Sequence, residues 1–236
     1  MKTINLIILG MASSRKTTFV QRLEEELANK IKESYIINLE PAVMDTLYEP
    51  NMDIRDTIKY KEVMASNNLG SNGDILTCLN LFSTNIDKVI SILESKTDLD
   101  YVVMDVSDQL EVFSWSATEK IITDSSYLIF PSIVIYIIGI PQCNNPNTFS
   151  SNMLYALSIM YKMKLPLLLA FNKVDIAKEN KVIEWMQDYQ SLQQALSKKD
   201  DYISTFSSSL SLLLNEFYKT IKYVSVSSKT EKVLMS

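Results

Sequence analysis

Histidine is absent from this chain of 236 residues, and the chain has only two cysteines, Cys78 and Cys143. The absence of histidine excludes imidazole acid–base catalysis and argues against a zinc site. Two cysteines are too few for a disulfide framework, which favours a reducing compartment, either the cytosol or the nucleus. These absences leave carboxylates, hydroxyls, amides and amines as the groups available for chemistry.

Positive charge is also in short supply, with 23 Lys and Arg residues against 28 Asp and Glu residues and a net charge of −5. This balance gives no general electrostatic case for nucleic acid or an anionic membrane, so we expect contact with neither. Two stretches nevertheless imitate membrane signals. The N-terminal apolar run is followed at once by Arg15 and Lys16, and residues 126–143 are interrupted by two prolines and a glycine. We expect a buried strand in each.

The apolar fraction of 47% and the charged fraction of 22% are typical of a folded protein with a sizeable core. Apolar runs alternate with amphipathic segments, which predicts an α/β fold with a mostly parallel sheet and helices on both faces. We find no linker, internal repeat or low-complexity segment. The sequence therefore predicts one domain over residues 1–236.

Short apolar runs predict strands at Ile4–Leu9, Tyr35–Leu39, Tyr101–Val106, Ile133–Ile138, Leu165–Phe171 and Tyr223–Val226. Helical periodicity predicts helices at about Arg15–Lys30, Ile54–Met64, Ile75–Leu93, Glu111–Ile122, 147–163, from near Val182, and Asp201–Ile221. The clearest turn cluster is Asn67–Asp74.

The segment Met1–Thr18 has the pattern of a phosphate-binding P-loop between a strand and a helix. Gly10 ends the strand, and Lys16 and Thr17 follow at the spacing of G-x-x-x-x-G-K-[ST]. In such a loop the backbone N–H groups and the helix N-terminus hold phosphates, the lysine reaches the β- and γ-phosphates, and the hydroxyl ligates Mg²⁺. Arg15 stands where the second glycine belongs, and its side chain either clashes with a nucleotide or turns outward. The candidate nucleotide-binding residues are Gly10, Ser13, Ser14, Arg15, Lys16, Thr17 and Thr18.

Polar side chains also follow the later strands. Asp105 ends a strand and is a candidate Mg²⁺ ligand, although a strand-end carboxylate also caps helices. Residues 172–175 fit N-K-x-D, whose carboxylate accepts hydrogen bonds from the N1–H and the exocyclic amine of guanine, a donor pair that adenine lacks. Ligands of parallel sheets bind beyond the carboxyl ends of the strands. We therefore expect a shared site for Lys16, Glu40, Asp105, Asn172, Asp175 and Ser227.

Long stretches of the chain, rather than one motif, resemble a known family. They include GMASSRKTTFVQRL, YIINLEPAV, NMDIRDTIKYKEVM, LGSNGDILTCLNLF and FNKVD. Together they resemble the GPN-loop GTPases, and most of all the eukaryotic paralogue associated with RNA polymerase II assembly and nuclear import. The resemblance implies a P-loop NTPase G domain with a GPN-type insertion at about residues 40–97. It also implies GTP or GDP and Mg²⁺ as ligands.

The resemblance also implies roles for individual residues. Gly70-Ser71-Asn72 stands where the family has Gly-Pro-Asn, a loop that reaches across a dimer, so Asn72 is expected at the partner's nucleotide phosphates. Gln109 corresponds to the residue near the attacking water, and Glu40 is expected to help orient or activate that water. Mg²⁺ is assigned to Thr17 and Asp105, and the base to Asn172, Lys173, Asp175 and Ser227.

Departures from the family pattern cluster at the phosphate side. Ser13 and Arg15 replace two glycines of the P-loop, and Asp108 replaces the glycine whose N–H senses the γ-phosphate. Glu40 replaces the aspartate of D-P-A and is one methylene longer, and Asp74 replaces a glycine after the GPN-like loop. The chain has four glycines in all, far below the roughly 7% of average proteins. It has therefore lost loop flexibility or drifted from its original activity.

Two functions follow from these observations. The first is a GPN-loop GTPase that hydrolyses Mg²⁺·GTP slowly, with activity impaired by Arg15 and Asp108, and acts in RNA polymerase II assembly or import. The second is a catalytically impaired, dimerising scaffold. A P-loop kinase is a third reading, disfavoured by N-K-x-D. The expected partners are a second copy or another GPN-loop GTPase, together with polymerase subunits or assembly factors. The expected location is the cytoplasm, with shuttling to the nucleus left open.

Overall fold

The computed structural model describes residues 3–67, 70–109, 112–113, 116–197, 217–218, 220–230 and 233–234. The chain divides into two units, Met1–Ile135 and Tyr136–Ser236. Within the described ranges, no helix combines the length and the apolar character needed to cross a membrane. The apolar stretch 126–143 instead forms a helix end and a strand of ordinary length.

The strands are β1 Ile4–Gly10, β2 Ser34–Leu39, β3 Met52–Asp53, β4 Tyr101–Val106, β5 Ser132–Gly139, β6 Leu167–Asn172, β7 Lys222–Val226 and β8 Val233–Leu234. In the first unit, β3, β2, β4 and β1 lie in that order, and each neighbouring pair is parallel. In the second unit, β6 pairs in parallel with β7, and β7 pairs antiparallel with β8. The predicted α/β class with a mostly parallel sheet is confirmed.

Continuous burial explains why these segments form strands. β1 buries every residue after its first, and β2 and β4 bury five of their six residues. Parallel strands covered on both faces require such unbroken apolar runs, rich in β-branched residues. The register aligns Ile8 of β1 and Asn38 of β2 with Asp105 of β4. The loops that follow β1, β2 and β4 therefore leave the same edge of the first unit's strands.

The helices of the first unit are α1 Lys16–Asn29, α2 Ile54–Thr57, α3 Tyr60–Asn67, α4 Ser71–Ser83, α5 Ile86–Glu94 and α6 Ala117–Ile129. Those of the second unit are α7 Pro146–Met163, α8 Asn180–Gln187 and α9 Tyr189–Ser197, with a 3₁₀ turn at Ile140–Asn144. Side chains cap the start of several helices. Asp53 accepts from the N–H of Arg55 before α2, Ser116 accepts from the N–H of Glu119 before α6, and Asn145 accepts from the N–H of Asn147 before α7.

Several predicted helix boundaries are wrong. The single helix predicted over Ile75–Leu93 is two helices, because the hydroxyls of Ser83 and Thr84 donate to carbonyls of the last turn of α4 and compete with its continuation. The helix predicted over Ile54–Met64 is likewise α2 and α3. The predicted turn cluster is helical over 71–74, which form the first turn of α4. Of the helix predicted over Asp201–Ile221, residues 201–216 and 219 lie outside the described residues.

Candidate functional site

In the loop between β1 and α1, two residues that stand in place of glycine have the positive φ that usually requires glycine. Ser13 has φ 67° and Arg15 has φ 62°, both in the left-handed region. The N–H of Ser14 donates to the carbonyl of Met11 at 3.0 Å and closes a turn. A side chain in the left-handed region costs about 1–2 kcal/mol relative to glycine. The P-loop shape is therefore present at the two positions where glycine is replaced, at an energetic cost.

The side chains of this loop divide between the interior and the solvent. Gly10, Ser14 and Lys16 are buried, Thr17 and Thr18 are half-buried, and Arg15 and Ser13 are exposed. A cavity of about 310 Å³ lies against the loop, and Arg15 is not among the described residues that border it. Of the two orientations that the sequence leaves open for Arg15, the structure has the one outside the cavity.

Lys16 is the buried cation of the site, with 3% of its surface exposed. Its Nζ forms ion pairs with Oδ1 of Asp105 and, at 3.3 Å, with Oδ1 of Asp108. The other oxygen of Asp105, Oδ2, accepts a hydrogen bond of 2.6 Å from the Tyr48 hydroxyl. Burial lowers the pKa of Lys16, but Asp105, Asp108 and Glu40 outweigh it, and the net pKa is raised. Burial, and then Asp105, raises the pKa of Tyr48.

Glu40, which follows β2, is bound to the loop that follows β4. Its Oε1 accepts from the Ser107 hydroxyl at 3.1 Å, and its Oε2 accepts from the backbone N–H of Asp108 at 2.7 Å. The Ser107 hydroxyl also accepts from the N–H of Gln109 at 3.2 Å. Burial raises the pKa of Glu40, although these hydrogen bonds and Lys16 act in the opposite direction. The side chain of Glu40 therefore fixes the conformation of residues 107–109.

The cavity brings together five of the predicted site residues, namely Lys16, Thr17, Glu40, Asp105 and Gln109. It is bordered by Lys16, Thr17, Asn38, Glu40, Ala42, Val43, Thr46, Tyr60, Ser71, Ile75, Asp105, Asp108 and Gln109. Asn72 is exposed in the first turn of α4 and does not border it. Gly70 is the N-cap of that helix. The GPN-like segment is thus a helix start whose Ser71, rather than Asn72, borders the cavity.

Asp74 lies in the same first turn of α4 and is fully buried. Among the described residues, neither of its carboxylate oxygens has a hydrogen-bond partner. Burial, and then the charge of Asp74, raises the pKa of Cys78 one turn along the same helix. The first turn of α4 therefore buries a carboxyl group whose oxygens have no hydrogen-bond partner in the described part of the chain.

The predicted base-binding residues lie together in the second unit. The parallel register of β6 and β7 aligns Asn172 with Val226, so the residues that follow both strands are adjacent. Oδ1 of Asn172 accepts from the N–H of Lys173 at 2.8 Å and from the Ser228 hydroxyl at 2.9 Å. Lys173 has φ 71°. The Ser227 hydroxyl donates to Oδ1 of Asp175 at 2.7 Å, a bond that uses one of the two carboxylate oxygens.

The sequence did not predict three of these contacts. Tyr48 is a single aromatic residue in an irregular loop, and no spacing rule links it to Asp105. Ser107 contacts Glu40 across a separation of 67 residues. The role of Ser228 as a partner of Asn172 depends on the pairing of β6 with β7, which the sequence predicts only as part of the sheet.

Comparisons with known proteins agree with this geometry. A family model described as "Conserved hypothetical ATP binding protein" matches residues 8–236. The chain is 51% identical over 225 residues to GPN-loop GTPase 1 of Dictyostelium discoideum, covering 95% of this chain and 57% of that protein. It is 49% identical over 221 residues to GPN-loop GTPase QQT2 of Arabidopsis thaliana, covering 93% of this chain and 58% of that protein. The chain thus spans less than two thirds of these relatives' length.

A solved structure gives the same fold. The apo form of a GTPase from Pyrococcus abyssi superposes with a TM-score of 0.82 at 22% identity, covering 97% of this chain and 92% of that chain. At this identity the match concerns the fold, and it confirms the P-loop NTPase architecture. The family match over most of the chain and the two relatives of about 50% identity agree with the motifs read from the sequence. The chain belongs to the GPN-loop GTPase family.

Proposed function

We propose that this chain binds a guanine nucleotide with Mg²⁺ and hydrolyses GTP slowly. The observation that carries the proposal is that Lys16, Thr17, Asp105 and Gln109 border one cavity. That cavity lies beyond the carboxyl ends of parallel strands, where such folds bind their ligands. The names of the relatives, which are GTPases, support the same activity.

Guanine is favoured over adenine by the segment Asn172–Asp175. Asp175 is a carboxylate held by the Ser227 hydroxyl through one oxygen. A carboxylate accepts the two donors of the guanine edge, whereas adenine offers no such pair. This supports GTP and GDP as ligands, although the matching family model carries a description that mentions ATP.

The residues present fit Mg²⁺. Asp105 and Thr17 offer a carboxylate and a hydroxyl, and Mg²⁺ prefers oxygen ligands and takes the remainder from phosphates and water. Within the ranges that the structure describes, no group of three or more Asp, Glu or Cys residues is arranged to hold a metal ion by itself. When bound, Mg²⁺ would neutralise charge on the phosphates. Asp105 would hold the ion with oxygens that here accept from Lys16 and Tyr48.

Catalysis by these residues consists mainly of positioning and charge neutralisation. Lys16 and backbone N–H groups of the loop between β1 and α1 hold phosphates. Gln109, with Glu40, orients the attacking water. Asn72 reaches the phosphate end of a partner subunit's nucleotide. We expect slow turnover because Glu40, Asp105 and Asp108 place three carboxylates around one ammonium group, which opposes the charge of the terminal phosphate.

At the cellular level we propose a dimer, formed by two copies or with another GPN-loop GTPase, that acts in the assembly or nuclear import of RNA polymerase II from the cytoplasm. Polymerase subunits or assembly factors would be its clients. The family membership supports this role. A non-catalytic dimeric scaffold is the second candidate, and it is favoured by the contacts that already occupy Lys16 and Asp105.

Equilibrium titration of the purified chain with a fluorescent GTP analogue and Mg²⁺ tests the proposal, with the matching ATP analogue as control. We expect saturable binding that prefers guanine, and an Asp175→Asn variant that loses the preference because it replaces an acceptor with a donor. Single-turnover hydrolysis then separates an enzyme from a binder. Failure of the folded protein to bind at millimolar nucleotide would favour the scaffold.

A further inference from the structure

Carboxylates of the chain already bind three donors on the phosphate side of the cavity. Lys16 is paired with Asp105 and Asp108. The backbone N–H of Asp108 and the hydroxyl of Ser107 both donate to the carboxylate of Glu40. Backbone N–H groups, hydroxyls and a lysine are the donors that bind phosphate oxygens in P-loop sites. Each of these donors is therefore bound to a carboxylate of the chain itself, in the place that a phosphate of a bound nucleotide would take.

Glu40 is placed to act as such an anion. Its two oxygens accept from two different donors of the loop after β4, at 2.7 and 3.1 Å. Its carboxylate also contributes, with those of Asp105 and Asp108, to raising the pKa of Lys16. Glu40 borders the same cavity as Lys16 and Thr17. Two oxygens of a phosphate group would accept hydrogen bonds from two donors in the same way. The glutamate side chain is long enough for its two oxygens to reach both donors.

We infer that the Glu40 carboxylate competes with the terminal phosphate of a nucleoside triphosphate for the donors of Ser107 and Asp108. This inference rests on the proposed nucleotide binding and adds a specificity-determining residue to it. A triphosphate must displace Glu40 to reach those donors, whereas a diphosphate leaves them with Glu40. Glu40 therefore shifts the preference of the site from GTP towards GDP.

The test compares the full-length chain with Glu40→Gln, Glu40→Asp and Asp45→Asn. Glu40→Gln removes the charge at constant size, and Glu40→Asp keeps the charge but shortens the reach. Asp45→Asn is the matched control, since it removes one carboxylate from an exposed position of the same loop. Affinities for GDP and a non-hydrolysable GTP analogue are measured with Mg²⁺, so that loss of hydrolysis does not affect the readout.

Both Glu40 variants are expected to bind the GTP analogue about 10-fold more tightly, with changes in GDP affinity below about 2-fold. Asp45→Asn should change neither. Weaker binding of the GTP analogue by Glu40→Gln, or a GTP-to-GDP ratio equal to that of Asp45→Asn, would overturn the inference while leaving nucleotide binding intact. If no variant binds either nucleotide, both the inference and the proposed function are wrong.

Hydrogen exchange provides a readout that needs no nucleotide. In the nucleotide-free chain, the amide of Asp108 donates to Glu40 and should exchange slowly. Glu40→Ala is expected to accelerate that exchange about 10-fold or more, while Asp45→Asn leaves it unchanged. Equal rates in the parent and Glu40→Ala would show that Glu40 does not hold this donor, and the competition would then have no basis.

Discussion

At the scale of single residues, the loop between β1 and α1 is held in a conformation that its own side chains oppose. Ser13 and Arg15 both have positive φ, and neither is a glycine. The surrounding contacts enforce this shape, because Lys16 is buried and paired immediately after Arg15. The energy stored in the two backbone positions can be measured directly by restoring glycine.

Ser13→Gly and Arg15→Gly are each expected to raise the free energy of unfolding by about 0.5–1 kcal/mol. Relief of the left-handed strain exceeds the entropy that glycine adds to the unfolded chain. Urea unfolding measures the change. Ala12→Gly is the control in the same loop, since φ of Ala12 is not positive, and it should destabilise by roughly 0.5–1 kcal/mol. If Ser13→Gly, Arg15→Gly and Ala12→Gly all destabilised the protein equally, the prediction that Ser13 and Arg15 are strained would be wrong.

The residues that could be picked out from the sequence are those that belong to a spaced motif or directly follow a strand. Lys16 and Asp105 were assigned from their places after strands, and the structure joins them in an ion pair. Asn172 and Asp175 followed from N-K-x-D. Tyr48 was missed, because its contact with Asp105 depends on the course of an irregular loop. The orientation of Arg15 was also beyond the sequence, since both orientations are sterically allowed for an exposed side chain.

At the scale of elements, the strands were predicted well and the helices less well. Buried parallel strands are continuous apolar runs, so they can be recognised directly in the amino-acid sequence. Helix ends depend on side-chain hydrogen bonds such as those of Ser83 and Thr84, which the apolar periodicity does not register. β3 and β8, with two residues each, are too short to show a period.

The start of α4 yields a prediction about stability. Asp74 is buried without a hydrogen-bond partner in the described part of the chain, so Asp74→Asn should raise the free energy of unfolding by about 1–3 kcal/mol. Asp87→Asn is the matched control, because Asp87 lies in the first turn of α5 and is exposed. That variant loses only a favourable interaction with the helix N-terminus, about 0.3–1 kcal/mol. Chemical denaturation distinguishes the two, and a loss of stability in both would refute the prediction.

At the scale of the whole molecule, the charges around Lys16 link folding to pH. The pKa of Lys16 is raised in the folded chain. Its contribution to stability is therefore complete below its ordinary pKa of 10.5 and is lost as the pH rises through the folded value. The pKa of Glu40 is also raised, mainly by burial, but for a carboxyl group this means that ionisation opposes folding.

We therefore expect the stability of Glu40→Gln relative to the parent to increase as the pH rises above the ordinary carboxyl value of 4.5, because ionisation of Glu40 in the parent opposes folding. The increase should disappear as the pH falls towards 4.5, because the parent then carries a neutral carboxyl as well. Thermal unfolding across pH 4–8 measures the difference, with Asp45→Asn as a control of the same charge change. A difference in stability that is constant over this range would mean that titration of Glu40 is not its source.

The left-handed residues of the β1–α1 loop have a consequence for how such loops are searched for. Backbone N–H groups bind phosphate when they point towards it. Their direction depends on the torsions φ and ψ rather than on the residue type at each position. Here the glycine conformation survives at Ser13 and Arg15 although the letters have changed. A survey that requires glycine at these positions overlooks this chain. A search for positive φ at these loop positions will find relatives that a search for the glycine motif rejects.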